Sequence, residues 1–299
     1  MSMEIGIIVP QGWTGEYDGW ATTAAWTRTM AVARQAEGLG FESIWLFDHF
    51  HTVPRPTDEI TFESFTTLAA LAAATSRVRL GQIVICTGFR NPALVAKMIS
   101  TLDAISGGRM ELGIGAGWKR DEWLAYGYGF PETRERLAAL SDHLEVITRM
   151  LVPGRASHAT FEGRLAAAHE AINVPKPVQE HLPVMVGGNG RNVTWRLAAR
   201  HADELNLDGL SPEEVAAALP VIHERCAEIG RDPATLRVSV HLWWGAPPRD
   251  RSARVERLAA YRELGVARTM ELLLDAATDD EALAAYAEDC RAAGCELSA

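Results

Sequence analysis

With 299 residues, 47% of them hydrophobic and 23% charged, the chain has the balance of an ordinary globular protein and can bury a substantial core, which excludes a disordered polymer. Its formal net charge of −10, with no run of lysines or arginines, excludes a nucleic-acid partner. No apolar run approaches the roughly 18 residues of a membrane span and no secretory leader is visible. Cys86, Cys226, Cys290 and Cys295 form no CxxC pair, so the expectation is a cytoplasmic protein with reduced thiols, no membrane contact and no structural metal.

In chain order, short β-branched apolar runs predict strands at 4–9, 43–47, 79–85, 110–115, 183–187, 203–207, 236–243 and 267–273. Between them lie segments of helical period. Asn91-Pro92 reads as a cap followed by a first-turn proline, and Ser211 to Glu214 and Thr278 to Glu281 read as capping boxes. Helices are expected to stop before Gly38 or Gly40 and before Gly107-Gly108. Eight strand–helix units in alternation predict a (β/α)8 TIM barrel, since a doubly wound open sheet usually carries five or six strands. The chain reads as a single domain over 1–299, with an insertion near 152–182 between the fourth and fifth barrel strands, where TFEGRL looks like a small hairpin.

In such a barrel the chemistry sits on the loops that follow the carboxyl ends of the strands. Those loops carry Trp13 after the first strand, Asp48, His49 and His51 after the second, and Cys86 and Thr87 after the third. Gly115, Gly117 and Trp118 follow the fourth, and Gly187, Gly188, Asn189, Gly190 and Arg191 the fifth. The last group runs from strand through glycines into a helix, an arrangement that offers backbone amides and a positive helix end to a phosphate. Gly188 and Gly190 with Asp208 also supply part of a dinucleotide fingerprint, but Val193 stands where its third glycine belongs. His49 and His51 could form a metal pair, but no further ligands follow on the later strands, so no metal is expected. Asp48 beside His49 reads either as a structural ion pair or as a carboxylate orienting an imidazole for proton transfer. Aromatic residues concentrated in the same loops, Trp13, Trp118 and Tyr126 among them, suit walls around a flat ring and an apolar substrate.

The chain resembles the luciferase-like monooxygenase superfamily, and within it the actinobacterial coenzyme F420-dependent oxidoreductases. The likeness is carried by VPQGW at 9–13, ESIWLFDHFHTVPRPTDEITFE at 42–63, TSRVRLGQIV at 75–84, RNPALVAKMISTLDAISGGRMELGIGAGW at 90–118, EWLAYGYGFP at 122–131 and LPVMVGGNGRNVTWRLAARHAD at 182–203. It implies a barrel, commonly a homodimer, that holds a deazaflavin or flavin across the strand ends. Asp48 then matches the family acid near the ring and His49 the active-site histidine. Ile83-Val84 matches a non-proline cis peptide, Gly187 to Arg191 the phosphate loop, and Gly115 to Trp118 the loop beside cofactor and substrate. Sugar-phosphate dehydrogenases of this family carry a glutamate where Trp118 stands here and an indole where Val53 stands, so a less polar substrate than glucose 6-phosphate is expected.

The resulting expectation is an F420-dependent oxidoreductase that moves a hydride between the deazaflavin and a small, relatively apolar molecule. His49 and Asp48 would be catalytic. Asp48, Ile83, Val84, Thr87, Gly115, Gly117 and the 187–191 loop would bind the cofactor, and Trp13, His51, Trp118 and Tyr126 the substrate. The alternatives are a reduced-FMN monooxygenase and a ligand-binding barrel without turnover.

Overall fold

The computed structural model describes residues 3–154, 158–243 and 250–298; residues 155–157, inside the expected insertion, lie outside that set. In chain order the strands and helices are β1 (Glu4–Ile8), α1 (Thr22–Leu39), β2 (Ser43–Leu46), α2 (Ser64–Ala74), β3 (Arg79–Gln82), β4 (Ile85–Cys86), α3 (Pro92–Ser106), β5 (Met110–Gly115), α4 (Arg120–Ala125), α5 (Thr133–Leu151), β6 (His158–Glu162), β7 (Ala167–Ile172), β8 (Val184–Gly187), α6 (Thr194–His201), β9 (Glu204–Asp208), α7 (Pro212–Ala227), β10 (Arg237–Leu242), α8 (Arg251–Glu263), β11 (Arg268–Leu272) and α9 (Ala282–Ala292).

The sheet runs β3-β2-β1-β11-β10-β9-β8-β5, and pairing of β3 with β5 closes it into a barrel of parallel staves. β4 continues the β3 stave beyond Ile83-Val84 and pairs with the end of β5. This is the (β/α)8 TIM barrel read from the sequence, and seven of the eight predicted strands differ from the observed ones by a residue or so at their ends. The exception is 79–85, which breaks at Ile83-Val84, a non-proline peptide in the cis form. β6 and β7 pair antiparallel between α5 and β8, with the turn at the end of TFEGRL.

Side-chain volume explains the closure at the amino end of the barrel. Trp45 on β2 is fully buried, and a Cβ on either Gly6 or Gly81 would collide with its ring. One large residue thus fills the space that its two neighbouring staves leave open. Beside it the Arg268 guanidinium, also fully buried, lies 4.9 Å from the Trp45 ring and pairs with Glu42, Glu111 and Glu204 at 2.9, 2.7 and 2.7 Å. Three carboxylates around one cation keep the group ionised in a place where an unpaired charge would be very costly.

Two of the capping signals form as expected. The Asn91 side chain accepts from the amides of Ala93 and Leu94, and Ser211 with Glu214 closes a capping box on α7. Helix α1 ends at Gly40, whose φ of 90° a side chain would strain. The expected box at Thr278 is a correction: a short 3-10 turn occupies Leu274–Ala277, α9 begins only at Ala282, and the Thr278 hydroxyl donates weakly back to the Asp275 carbonyl. A local bond to the preceding turn competes there with the helix cap.

Candidate active site

At the carboxyl ends of the staves a cavity of about 270 Å³ opens, lined by residues at or beyond the ends of β1, β2, β3, β5, β8, β9 and β10. Its floor is the apolar cluster of Ile8, Phe47, Ile83, Met185, Met270 and Leu272, with Val84 packed against it. The Val84 side chain occupies the space a Cβ on Gly115 or Gly187 would need, at 2.7 and 2.8 Å respectively. Glycine at these two rim positions therefore lets three neighbouring staves approach one another under the cavity, a role that glycine spacing alone does not reveal.

Asp48 and His49 both line the cavity, yet they do not form the couple that their adjacency suggested. The Asp48 carboxylate is almost fully buried and takes the Arg90 guanidinium in a two-pronged bond, Nη1 to Oδ2 at 2.7 Å and Nη2 to Oδ1 at 2.9 Å. Its remaining capacity accepts the Ser64 hydroxyl and the Cys86 backbone amide, each at 2.9 Å. Burial alone would weaken the Arg90 charge, but Asp48 and then Glu63 outweigh it and raise its pKa. Asp48 thus ties β2 to α2 and to the β4 strand beside the cis peptide.

The partner of His49 is Glu122, in the first turn of α4. His49 Nδ1 lies 2.7 Å from Glu122 Oε2, while Oε1 accepts the Phe50 amide at 2.6 Å. Glu122 is fully buried and reaches across from a residue 73 positions later in the chain. A carboxylate on Nδ1 fixes a proton there and leaves Nε2 as the nitrogen available for proton exchange. Trp13 holds the imidazole flat from the other side, with ring centres 4.2 Å apart and planes within 3°. The indole of Trp13 also touches Phe47 and Trp243, and Trp118 stands edge-on to His49 at 6.0 Å.

Opposite these residues, Asp208 at the end of β9 and His241 on β10 line the same cavity together with Trp243. Burial would raise the Asp208 pKa, but contacts from His241 and the Trp243 indole hold it below its usual value. Lys119 is buried at the rim and pairs with Asp121 at 2.7 Å. Burial, followed by the nearby Asp48 charge, pushes the Cys86 thiol far up, so this cavity-lining sulfur stays protonated.

Of the residues singled out from the sequence, Trp13, Asp48, His49, Ile83, Val84, Gly115, Gly117, Trp118, Gly187 and Gly188 share the cavity wall. Thr87 lies behind it, its hydroxyl on the Gly115 carbonyl at 2.6 Å. Asn189, Gly190 and Arg191 lie farther out and are exposed. The Asn189 side chain clamps the Asp208 backbone at both its N–H and its C=O, at 3.0 and 2.9 Å. The Arg191 guanidinium sits 5.7 Å from the Trp195 ring. His51 and Tyr126 belong to the outer loops: His51 Nδ1 contacts the neighbouring Thr52 carbonyl, and the exposed Tyr126 donates to the Phe50 carbonyl. Sequence reasoning missed Glu122, Lys119, Thr194, His241 and Trp243, and noted Asp208 without a role. For Glu122 the available signal was an acid in the first turn of a helix that follows a rim loop. Among the described residues no cluster of histidine, cysteine and carboxylate side chains could hold a metal ion, and no helix is long and apolar enough to cross a membrane.

The profile of the family described as "luciferase-like monooxygenase" matches residues 3–296. Rv0953c, an uncharacterized protein of Mycobacterium tuberculosis, is 30% identical over 275 residues, 86% of this chain and 90% of that one. An F420-dependent glucose-6-phosphate dehydrogenase of Kineococcus radiotolerans is 38% identical over 172 residues, 57% of this chain and 49% of the dehydrogenase. The chain therefore spans about half the length of that enzyme. Among solved structures, an F420-dependent secondary alcohol dehydrogenase in complex with an F420-acetone adduct superposes with a TM-score of 0.80 at 19% identity, covering 98% of this chain and 99% of that one. The F420-dependent tetrahydromethanopterin reductase of Methanopyrus kandleri superposes with a TM-score of 0.73, also at 19% identity, over 96% and 97% of the two chains. At these identities the superpositions speak to the fold. The match across 3–296 and the relative that is 30% identical over most of both chains lead to one conclusion: this chain belongs to the luciferase-like monooxygenase family.

Proposed function

We propose that this protein is an F420-dependent oxidoreductase that exchanges a hydride with a carbon of a small, relatively apolar substrate. The single observation that carries the reading is the buried Glu122–His49 couple facing a cavity whose opposite edge is the glycine turn at 187–188. The F420-dependent relatives and the fold shared with F420 enzymes support it.

The residues present fit such a cofactor. The glycines at 115 and 187 keep the floor open for a flat ring above Val84. Helix α6 begins without a side-chain cap; the Trp195 amide donates to the Gly190 carbonyl at 3.1 Å, which leaves the Thr194 and Arg196 amides for a phosphate, with Gly188 beside them. The buried Trp13 indole nitrogen, on a cavity-lining side chain, has no hydrogen-bond partner among the described residues, which a bound acceptor would satisfy. When bound, the deazaflavin would supply two-electron chemistry as hydride.

The protein's own groups do the rest. Loss of hydride from a carbinol carbon, with loss of the hydroxyl proton, leaves a carbonyl; His49 Nε2 is the group placed to take that proton, and to return it in the reverse direction. Glu122 and Trp13 hold the imidazole in one orientation, so the proton acceptor is positioned before substrate arrives. Trp13, Trp118, Trp243 and Phe47 wall the substrate side, which suits an apolar body better than a sugar phosphate. A homodimer and a cytoplasmic location accompany this reading by resemblance to the family.

The test is direct. Purified protein titrated with F420 and with FMN should bind the deazaflavin more tightly; preference for FMN would instead favour the monooxygenase reading, which relatives such as a pyrimidine monooxygenase of Stutzerimonas stutzeri at 27% identity keep in view. In cofactor-loaded protein His49→Ala should lower kcat by about 10²–10⁴-fold while cofactor affinity changes less than about threefold. Equal losses in both would reduce His49 to a structural part.

A further inference from the structure

The wall opposite His49 contains a carboxylate with an unused oxygen. Asp208 Oδ1 receives the Trp243 indole N–H at 3.0 Å and lies 3.2 Å from His241 Nε2. Its Oδ2 makes no hydrogen bond among the described residues, and the side chain, 47% exposed, lines the cavity. Its backbone and one of its partners are fixed in turn. Asn189 fixes its backbone through two hydrogen bonds. His241 is itself fixed, because the Asn206 amide nitrogen donates to Ser239 Oγ at 2.9 Å, which leaves Asn206 Oδ1 to accept from His241 Nδ1 at 2.5 Å. With a proton on Nδ1 committed to Asn206, His241 turns Nε2 towards Asp208. The arrangement keeps a carboxylate ionised among indole rings and presents one oxygen to the cavity.

The distances place this oxygen on the substrate side. Trp13 stands between the two poles, its ring centre 4.2 Å from His49 and 4.7 Å from Trp243, and Trp118 closes on Trp243 at 6.4 Å. Two indoles thus stand in line between the imidazole that handles the proton and the carboxylate: Trp13 beside His49, then Trp243, on whose N–H Asp208 is hung. Nothing in the packing of β9 or β10 uses Oδ2, whereas Asp48 and Glu122, the other cavity-lining carboxylates, have both oxygens engaged.

We propose that Asp208, held by His241 and Trp243, is the docking point for a hydrogen-bond donor on the substrate, a hydroxyl or a protonated amine remote from the reacting carbon. This deepens the proposed hydride-transfer function and rests on it: the substrate has an apolar body against the indoles, a reacting carbon towards His49 and a donor towards Asp208. A phosphate or carboxylate at that end would meet like charge, so acidic substrates are disfavoured.

The experiment measures affinities for four probes, cyclohexanol, 1,4-cyclohexanediol, 4-aminocyclohexanol and 4-methoxycyclohexanol, by calorimetry on the protein with and without bound F420, and turnover in the loaded protein. The diol or the aminoalcohol should bind about tenfold or more tightly than cyclohexanol, as a bond to a charged acceptor warrants, and the methoxy compound, which carries no remote donor, should gain nothing. Asp208→Asn should abolish the preference for the ammonium probe and leave part of that for the diol, because an amide oxygen still accepts. Trp243→Phe, which keeps the wall and removes the indole N–H, should weaken the same preference. If donor-bearing probes bind no better than cyclohexanol, or bind immeasurably weakly, the proposal is overturned. It is equally overturned if Asp208→Asn lowers F420 affinity as much as probe affinity, since the carboxylate would then serve the coenzyme. Failure of the hydride-transfer reading would show separately, as probe discrimination without F420-dependent turnover.

Discussion

The reassignment of Asp48 from His49 to Arg90 can be tested by removing the guanidinium. Arg90→Met keeps the apolar stem but leaves Asp48, whose side chain is 1% exposed, with only two neutral donors. The charges lie within hydrogen-bond contact, so at an effective dielectric constant of about 20 and a separation of about 4 Å their attraction amounts to about 4 kcal/mol. This agrees with the cost of about 3–5 kcal/mol for stripping one partner from a buried pair. Unfolding entropy of about 2.1 cal/mol/K per residue makes each kcal/mol worth roughly 1.6 °C for a chain of this length, so the melting temperature should fall by about 5–8 °C. Asp48→Asn should cost less, because Arg90 keeps Glu63 at 2.9 Å. The double variant Asp48→Asn/Arg90→Met should recover part of the loss, with a coupling of about 2–3 kcal/mol in urea or thermal unfolding. Strict additivity, within about 0.5 kcal/mol, would refute the pairing as the function of Asp48.

Other expectations follow from the same geometry. Glu122→Gln should lower kcat by about 10- to 100-fold with little change in cofactor affinity, measured by steady-state kinetics beside a cofactor titration, because the amide can still hold the Phe50 N–H while its hold on the His49 proton is weakened. Gly187→Ala places a methyl 2.8 Å from Val84 and should weaken cofactor binding at least tenfold in the same titration. At the amino end of the barrel, burial would raise the Glu111 pKa, but Arg268 and then Arg79 outweigh it and bring it down from 4.5 to about 2. A folded-state value below the unfolded one means that this stabilisation is complete above about pH 4.5 and is lost as the pH falls towards 2. Urea midpoints should therefore drop through that window, and Glu111→Gln should flatten its own share of the drop.

Local sequence signals gave most of the fold, for reasons visible in individual elements. Val184 to Gly187 and Met110 to Gly115 are short apolar runs buried on both faces, which is how parallel staves read. Asn91 and Ser211 cap by bonds within three residues, so their chemistry is written locally. The errors arise where a distant partner or competing local bond decides. Thr278 lost its cap to a tight turn; the break in the 79–85 run falls at Ile83-Val84, where the family resemblance implies the cis peptide and the apolar pattern does not. The same holds for the site. Rim positions followed from strand ends, which is why Trp13, His49 and Gly187 were found; the ion pairs that set their chemistry cross 42, 73 and 33 or more positions and leave no periodic trace.

Asp48 and His49 show why adjacency is a poor guide to pairing at a strand end. Successive residues leaving a strand point to opposite sides, so the carboxylate turned back towards α2 and the β4 amide while the imidazole turned towards Trp13 and α4. Each then found an oppositely charged or polar partner from a different element: Arg90 before α3 for the acid, Glu122 in α4 for the histidine. The division separates two requirements that one dyad could not meet together. A carboxylate committed to a guanidinium anchors the strand beside the cavity floor, and a second one, with no lysine or arginine ion pair among the described residues, remains to hold the imidazole proton. On this argument, exchanging the two roles by moving an acid next to His49 and removing Glu122 would preserve composition and lose the site.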